Sequence, residues 1–123
     1  PDTAGNGAST PDVAALDIVG DLDIRIDCTL DRWISTGTLR ELCSKYLVTG
    51  NQRSWAIFTS TAGKITFRWT TDGSTIQQYD STAPLPVSPG GRLALRVTLD
   101  VDNGAGGHTI IYYTAPTISG PWT

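Results

Sequence analysis

The sequence predicts an all-β protein built as one antiparallel two-sheet sandwich, and three observations predict it. Hydrophobic and polar residues alternate over 21–30 and again over 92–101, the pattern of strands with one buried face. Turn-forming pairs such as Asp72-Gly73 separate the apolar segments at short intervals. Residues 81–91 hold three prolines and two glycines, which predicts an irregular crossing. Such a crossing suits a strand that changes sheet in a Greek-key or jelly-roll sandwich.

Composition and alternation then place the elements in order. Residues 1–10 are rich in Gly, Ser, Thr and Asn and predict a lead-in arm or linker, and residues 11–123 predict one domain. Val13–Asp17 is a short candidate strand, and 31–38 is a loop. The other predicted strands are 21–30, 42–48, 53–60, 64–71, 75–79, 92–101 and 108–114.

The segment 39–48 fits two secondary structures. Its apolar residues between Leu39 and Leu47 recur at the 3.6-residue spacing of a helix. We nevertheless predict a strand over 42–48, because every neighbouring segment is a strand.

The length and charge of the sequence exclude some classes of function. The 123 residues suffice for one domain with a core. The net charge of −3 argues against electrostatic binding to nucleic acid or to anionic lipid. No apolar stretch approaches the roughly 20 residues that span a bilayer. We therefore expect no nucleic-acid partner and no membrane insertion. The start at Pro1, with no methionine in the sequence, is expected of a processed chain or of a piece of a longer one.

Cys28 and Cys43 both fall in predicted strands. A disulfide is one interpretation, if those strands are neighbours with matching register. The other, which we favour slightly, is a pair of small buried hydrophobic side chains. Metal binding by the cysteines is not expected, since the sequence has one histidine and no Cys-x-x-Cys pair.

The sequence lacks the residues that catalysis requires. Glycoside hydrolysis needs two carboxylates around the scissile bond, and Glu41 is the only glutamate. His108, the only histidine, lies beside two glycines at a hairpin end, where we expect an exposed and inert side chain. We therefore predict that the protein is not an enzyme.

The turn after the strand 92–101 is a candidate calcium site. Asp100, Asp102 and Asn103 lie together there, and Ca²⁺ prefers carboxylate and carbonyl oxygens. The same residues also suit a tight polar turn held by side-chain to backbone bonds, which we favour. No other cofactor is predicted.

Four tryptophans raise the possibility of stacking on sugars. Trp55 and Trp69 alternate with apolar residues and are predicted to lie in the core. Trp33 in a loop and Trp122 near the end are the candidates for glycan contact. For a loop tryptophan, folding back as a lid on the sandwich is the alternative.

Three arginines fall on polar strand faces: Arg25, Arg68 and Arg96. They predict either a solvated ladder of cross-strand charge pairs or a mixed-charge contact surface for another subunit. The sequence leaves both open.

From about residue 8 onward, the succession of segments resembles the laminin-G-like, concanavalin A-like jelly rolls of bacterial and phage surface proteins. The resembling segments are 9–25, Ser44-Lys45, 51–55, 63–73 and 92–113. Members of that family usually continue past the tryptophan equivalent to Trp122 into further strands, whereas this sequence stops at Thr123. We therefore expect the closing strands to be supplied elsewhere, disordered or absent, and a sheet edge to be left for a partner to cover.

The resemblance implies a fold used for glycan, protein or surface binding. We expect a non-catalytic surface module of a phage-like virion, a capsid decoration or tail component that mediates attachment or decoration with weak glycan binding. The alternative is a secreted bacterial lectin-like module of a larger extracellular protein. The expected partners are other subunits of an assembly and cell-surface glycans, and the expected location is the virion surface or the extracellular space. Some relatives bind Ca²⁺ at a rim.

Overall fold

The structure, a computed structural model, describes residues 7–123; most of the predicted arm at 1–10 lies outside this range. Within it, seven strands account for nearly all regular structure. They are β1 (Leu22–Thr29), β2 (Arg40–Leu47), β3 (Gln52–Thr59), β4 (Ile65–Trp69), β5 (Gln77–Asp80), β6 (Arg92–Asp100) and β7 (Thr109–Ala115). No helix in the described residues is long and apolar enough to cross a membrane.

The strands form two antiparallel sheets whose inner faces pack together. One sheet has the order β1-β6-β7, and the other is the meander β2-β3-β4-β5. The chain therefore changes sheet twice, between β1 and β2 and again between β5 and β6. The predicted all-β class and two-sheet antiparallel sandwich are confirmed.

The core lies between the sheets and takes side chains from both. Phe67 and Ile57 come from one sheet and Leu95 and Val97 from the other, and all four are fully buried. Trp69 is buried with them, as predicted, and Trp55 packs against this cluster half-buried.

Of the two interpretations of Trp33, the structure shows the tryptophan folded back on the sandwich, and the burial of its side chain does not fit an exposed glycan contact. Its side chain is only 2% exposed and belongs to the core cluster. The indole N–H donates to the carbonyl oxygen of Gly91 at 2.9 Å, which satisfies the one polar atom that burial would otherwise leave without a partner. The loop tryptophan thus folds back under the crossing between β5 and β6.

The candidate strand at Val13–Asp17 is also wrong. The chain forms a short 3₁₀ turn there, Ala14–Leu16, and no strand pairs with it. Side chains hold this segment in place: Lys45 Nζ lies 2.7 Å from the Asp17 carboxylate and also pairs with Asp12. Ser54 donates to the carbonyl oxygen of Ile18 at 2.7 Å.

The segment with helical spacing is a strand, as predicted, and it begins at Arg40. Two irregularities in its pairing with β3 explain the spacing. They fall between Glu41 and Cys43 and between Lys45 and Tyr46. A bulge interrupts the period-2 alternation, so Leu42 and Cys43 both pack against the core.

Phe67→Ala should lower the free energy of unfolding by about 3–5 kcal/mol, because it removes a fully buried ring from the centre of the core. Urea unfolding followed by tryptophan fluorescence measures the change. The matched control is Ile111→Ala on the outer face of β7, where the side chain is exposed and the loss should stay within about 0.5 kcal/mol. Equal losses would show that the packing between the sheets is not the main source of stability.

Candidate functional site

An open cleft of about 740 Å³ lies between the two sheets where the edge strands β5 and β7 face each other. The crossing after β5 and the end of the chain at Thr123 form its other walls. We call it the β5–β7 cleft. Its lining includes Tyr79, Asp80, Thr82, Leu95, His108 and Tyr112. The meander leaves β5 at one sheet edge and the last hairpin leaves β7 at the other, so the topology itself creates the opening.

Aromatic rings border the cleft. The Tyr79 ring stacks on Trp69 with centroids 5.7 Å apart, and it remains 45% exposed. The His108 ring meets Trp69 edge-on at 4.7 Å and Tyr79 at 5.0 Å. Aliphatic side chains, including Leu95 and Ile110, line the space alongside these rings.

His108 is therefore not as exposed as the sequence predicts. It is half-buried within this aromatic group. Ile110 and Tyr112 pack toward the core, and His108 continues the same alternation backward past the start of β7. That alternation is the sequence signal that could have predicted the partial burial of His108, but the adjacent glycines, which are typical of a turn, obscured it.

Tyr112 joins the two sheets across the cleft. Its hydroxyl donates to the carbonyl oxygen of Tyr79 at 2.8 Å. Burial raises the pKa of the Tyr112 phenol, and the nearby charge of Asp80 raises it further. The phenol therefore stays protonated, which the hydrogen bond to Tyr79 requires.

The wall after β5 is held against β4 by hydrogen bonds. The carboxylate of Asp80 accepts one from the Thr66 hydroxyl at 2.7 Å. Two hydrogen bonds join Ser81 to Ile65. The Ser81 N–H donates to the Ile65 carbonyl oxygen, and the Ser81 hydroxyl accepts from the Ile65 N–H. These contacts fix Asp80 at the edge of the cleft, with its carboxylate directed to Thr66. The cleft offers aromatic, aliphatic and hydroxyl groups suited to binding.

The predicted calcium residues hold a turn together. Asp100 accepts the N–H of Asp102, and Asp102 accepts the N–H of Gly104. Asn103 Oδ1 accepts the N–H of Ala105 at 3.0 Å. The described residues contain no group of three His, Cys, Asp or Glu side chains arranged to hold a metal ion. These contacts fit the polar-turn interpretation, and calcium binding at this turn stays a prediction.

The outer face of the three-stranded sheet carries a network of charge pairs. Asp23 accepts from Arg25 at 2.8 Å and from Arg96 at 2.9 Å. Trp122, the other predicted glycan contact, is half-buried on this side, with the Arg25 guanidinium 6.0 Å from its ring. Arg68 lies on the outer face of the opposite sheet, where it donates to Gln78 at 2.6 Å. The three predicted arginines therefore cannot share one contact surface.

Cys28 and Cys43 are free thiols, both partly buried. They are not on neighbouring strands of one sheet, so a disulfide in matching register within a sheet is excluded, and a bond between them would have to cross from one sheet to the other. β1 and β2 belong to different sheets.

No protein-family model matches this sequence, and no curated protein or solved structure matches it either.

Asp23→Asn should destabilise the fold modestly at neutral pH, by less than about 1 kcal/mol because the pairs are exposed and screened by solvent. Hydrogen bonds from Arg25 and then Arg96 hold the pKa of the Asp23 carboxyl well below its usual value of 3.8. The carboxylate thus contributes stability above pH 3.8, and the contribution is lost as the pH falls below that value.

Urea unfolding at a series of pH values measures this. The difference between wild type and Asp23→Asn should be present at pH 7 and shrink in acid. Glu41→Gln is the control. The Glu41 carboxylate accepts a hydrogen bond from the Ser44 hydroxyl at 2.7 Å, whereas the Asp23 carboxylate accepts from arginines. A difference that does not change with pH would rule out the charge network as its source.

Proposed function

We propose that this chain is a non-catalytic surface module of a phage-like particle, a capsid decoration or tail component, and that it contacts glycans weakly through the β5–β7 cleft. The observation that carries the glycan contact is the aromatic rim of Tyr79 and His108 around an open, partly apolar space. The setting on a particle and the jelly-roll form of the sandwich rest on the resemblance to laminin-G-like and concanavalin A-like domains.

The chemistry of the cleft suits a sugar. Aromatic faces pack against the apolar C–H faces of pyranose rings, and the exposed Tyr79 ring provides one. Asp80 and Thr82 belong to the same lining, and their side chains would orient sugar hydroxyls at its edge. A single open site of this kind binds weakly, so many copies on one particle would supply avidity.

The arrangement of carboxylates supports a binding role. Asp80 is the one carboxylate residue that lines the cleft among the described residues. Glu41 lies on β2, at the opposite edge of the same sheet from β5. Hydrolysis of a glycoside usually needs two carboxyl groups roughly 5–9.5 Å apart across one site. We therefore propose that the cleft binds its ligand without cleaving it.

A secreted bacterial lectin-like module is the second candidate, and the same cleft favours it. The two candidates differ in what the outer face of the three-stranded sheet does. In a particle, the surface around Arg25 and Arg96 would lie against neighbouring subunits, and in a secreted module it would stay in solvent. Both side chains remain partly exposed in the single chain, so this surface is open to a neighbour.

Tyr79→Ala should abolish glycan binding, because it removes the exposed ring of the cleft. The measurement is a glycan array probed with the isolated chain, displayed in several copies on a carrier to compensate for weak single sites. Trp122→Ala is the matched control, since Trp122 is an aromatic residue outside the cleft lining. Its binding should equal that of the wild type.

Circular dichroism and the Tm of each variant show that the sandwich is intact, and Tyr79→Phe, which keeps the ring, should retain the hits. Loss of binding in Trp122→Ala alone would move the glycan contact from the cleft to Trp122. A blank array for the multivalent wild type would contradict the glycan contact. An assembly role would then be shown by burial of Arg25 and Arg96 between subunits.

A screen of glycosidase and esterase substrates should give no turnover above buffer. The reason is that, in the part of the chain that the structure describes, Asp80 is the one carboxylate residue lining the cleft, and Glu41 lies on the other edge of the sheet. Turnover that disappears in Glu41→Ala, with Asp80→Ala as the comparison, would overturn the non-catalytic assignment.

A further inference from the structure

Cys28 and Cys43 lie on the two edge strands opposite the β5–β7 cleft. β1 is an edge of the three-stranded sheet, and β2 is an edge of the four-stranded sheet. Both thiols pack against the same hydrophobic core. In the strand pairing, Cys28 lies opposite Leu93, and Cys43 lies opposite Ile57. Leu93 and Ile57 both belong to the core, and they come from different sheets. The two side chains thus project into the gap between the sheets from facing edges.

The electrostatics of the pair agree with this placement. Burial raises the pKa of the Cys43 thiol to about 11, and the charge of a Cys28 thiolate contributes to the rise. Burial also raises the pKa of the Cys28 thiol. The effect of Cys28 on Cys43 across the gap agrees with the inward placement of both side chains.

We propose that Cys28 and Cys43 form a cross-sheet disulfide when the folded chain meets a disulfide oxidant. This inference is independent of the proposed glycan contact. With oxidised glutathione as the oxidant, one cysteine thiolate attacks a glutathione sulfur and releases one reduced glutathione. The second thiolate then displaces the other glutathione from the mixed disulfide. The two thiols lose two protons and two electrons, and one glutathione disulfide becomes two thiols.

The bond would stabilise the fold by restricting the unfolded chain. It closes a loop of about 15 residues, a length for which the entropic effect is substantial. Because the reacting species is the thiolate and both pKa values are raised, the bond should form slowly at neutral pH and faster in mild alkali.

The experiment incubates the folded, full chain with oxidised glutathione at mildly alkaline pH. Intact mass should show the loss of two hydrogen atoms with no glutathione attached, and peptide mapping should show Cys28 linked to Cys43. The Tm of the oxidised monomer should exceed that of the dithiothreitol-reduced chain by about 10 °C. Cys28→Ser and Cys43→Ser should each lose this redox-dependent shift, and the milder Cys28→Ala serves if a serine prevents folding.

Other products would overturn the proposal. Glutathione left on both cysteines, disulfide-linked dimers, or thiols that stay free while the urea-unfolded chain oxidises would show that the native sandwich keeps the sulfur atoms apart. An intramolecular link that leaves the Tm unchanged or lowers it would show that the bond strains the fold.

Discussion

The pairing of β1 with β6 is the constraint on which the rest of the structure depends. Eight residue pairs, from Leu22 with Leu99 to Thr29 with Arg92, join strands separated by four others along the chain. Closing so long a loop costs entropy, and the alternating leucines, isoleucines and valines of both strands offset it by burying one face. Because β2–β5 form their own meander, this pairing forces the chain to change sheet twice, and the second sheet covers the buried face.

The same constraint makes the two long sides of the sandwich unlike. On one side, β1 and β2 follow each other in the chain, and their inner faces bring Cys28 and Cys43 toward a shared core. On the other side, β5 and β7 come from separate parts of the chain. β5 has four residues, all exposed, so it covers little of the gap between the sheets. The hydrogen bond from Tyr112 to Tyr79 joins the sheets there, and the cleft lies beside it.

Local sequence patterns predicted the strands well and the site poorly. Strict alternation located β1 and β6, because each has one face in the core. The bulges in β2 broke the alternation and imitated a helical period, and only the surrounding strands corrected that interpretation. The cleft and the placement of the two cysteines both depend on which sheet edges face each other. No local pattern in the sequence predicts that arrangement. The sequence left two placements of Trp33 open for a related reason: its partner, the Gly91 carbonyl, is distant in sequence.

The placement of charges separates two surfaces that could act together. On the outer face of the three-stranded sheet, Asp23 is already paired with Arg25 and Arg96, and Asp27 is paired with Arg92. A subunit that docks there must keep or replace these pairs, since a charge buried without its partner is costly. The carboxylate of Asp80, a residue at the edge of the cleft, has a single described side-chain partner, the Thr66 hydroxyl, and so keeps acceptor capacity for a ligand. The proposed assembly contact on the face and the proposed glycan contact at the edge would therefore use different residues, and one chain could hold both at once.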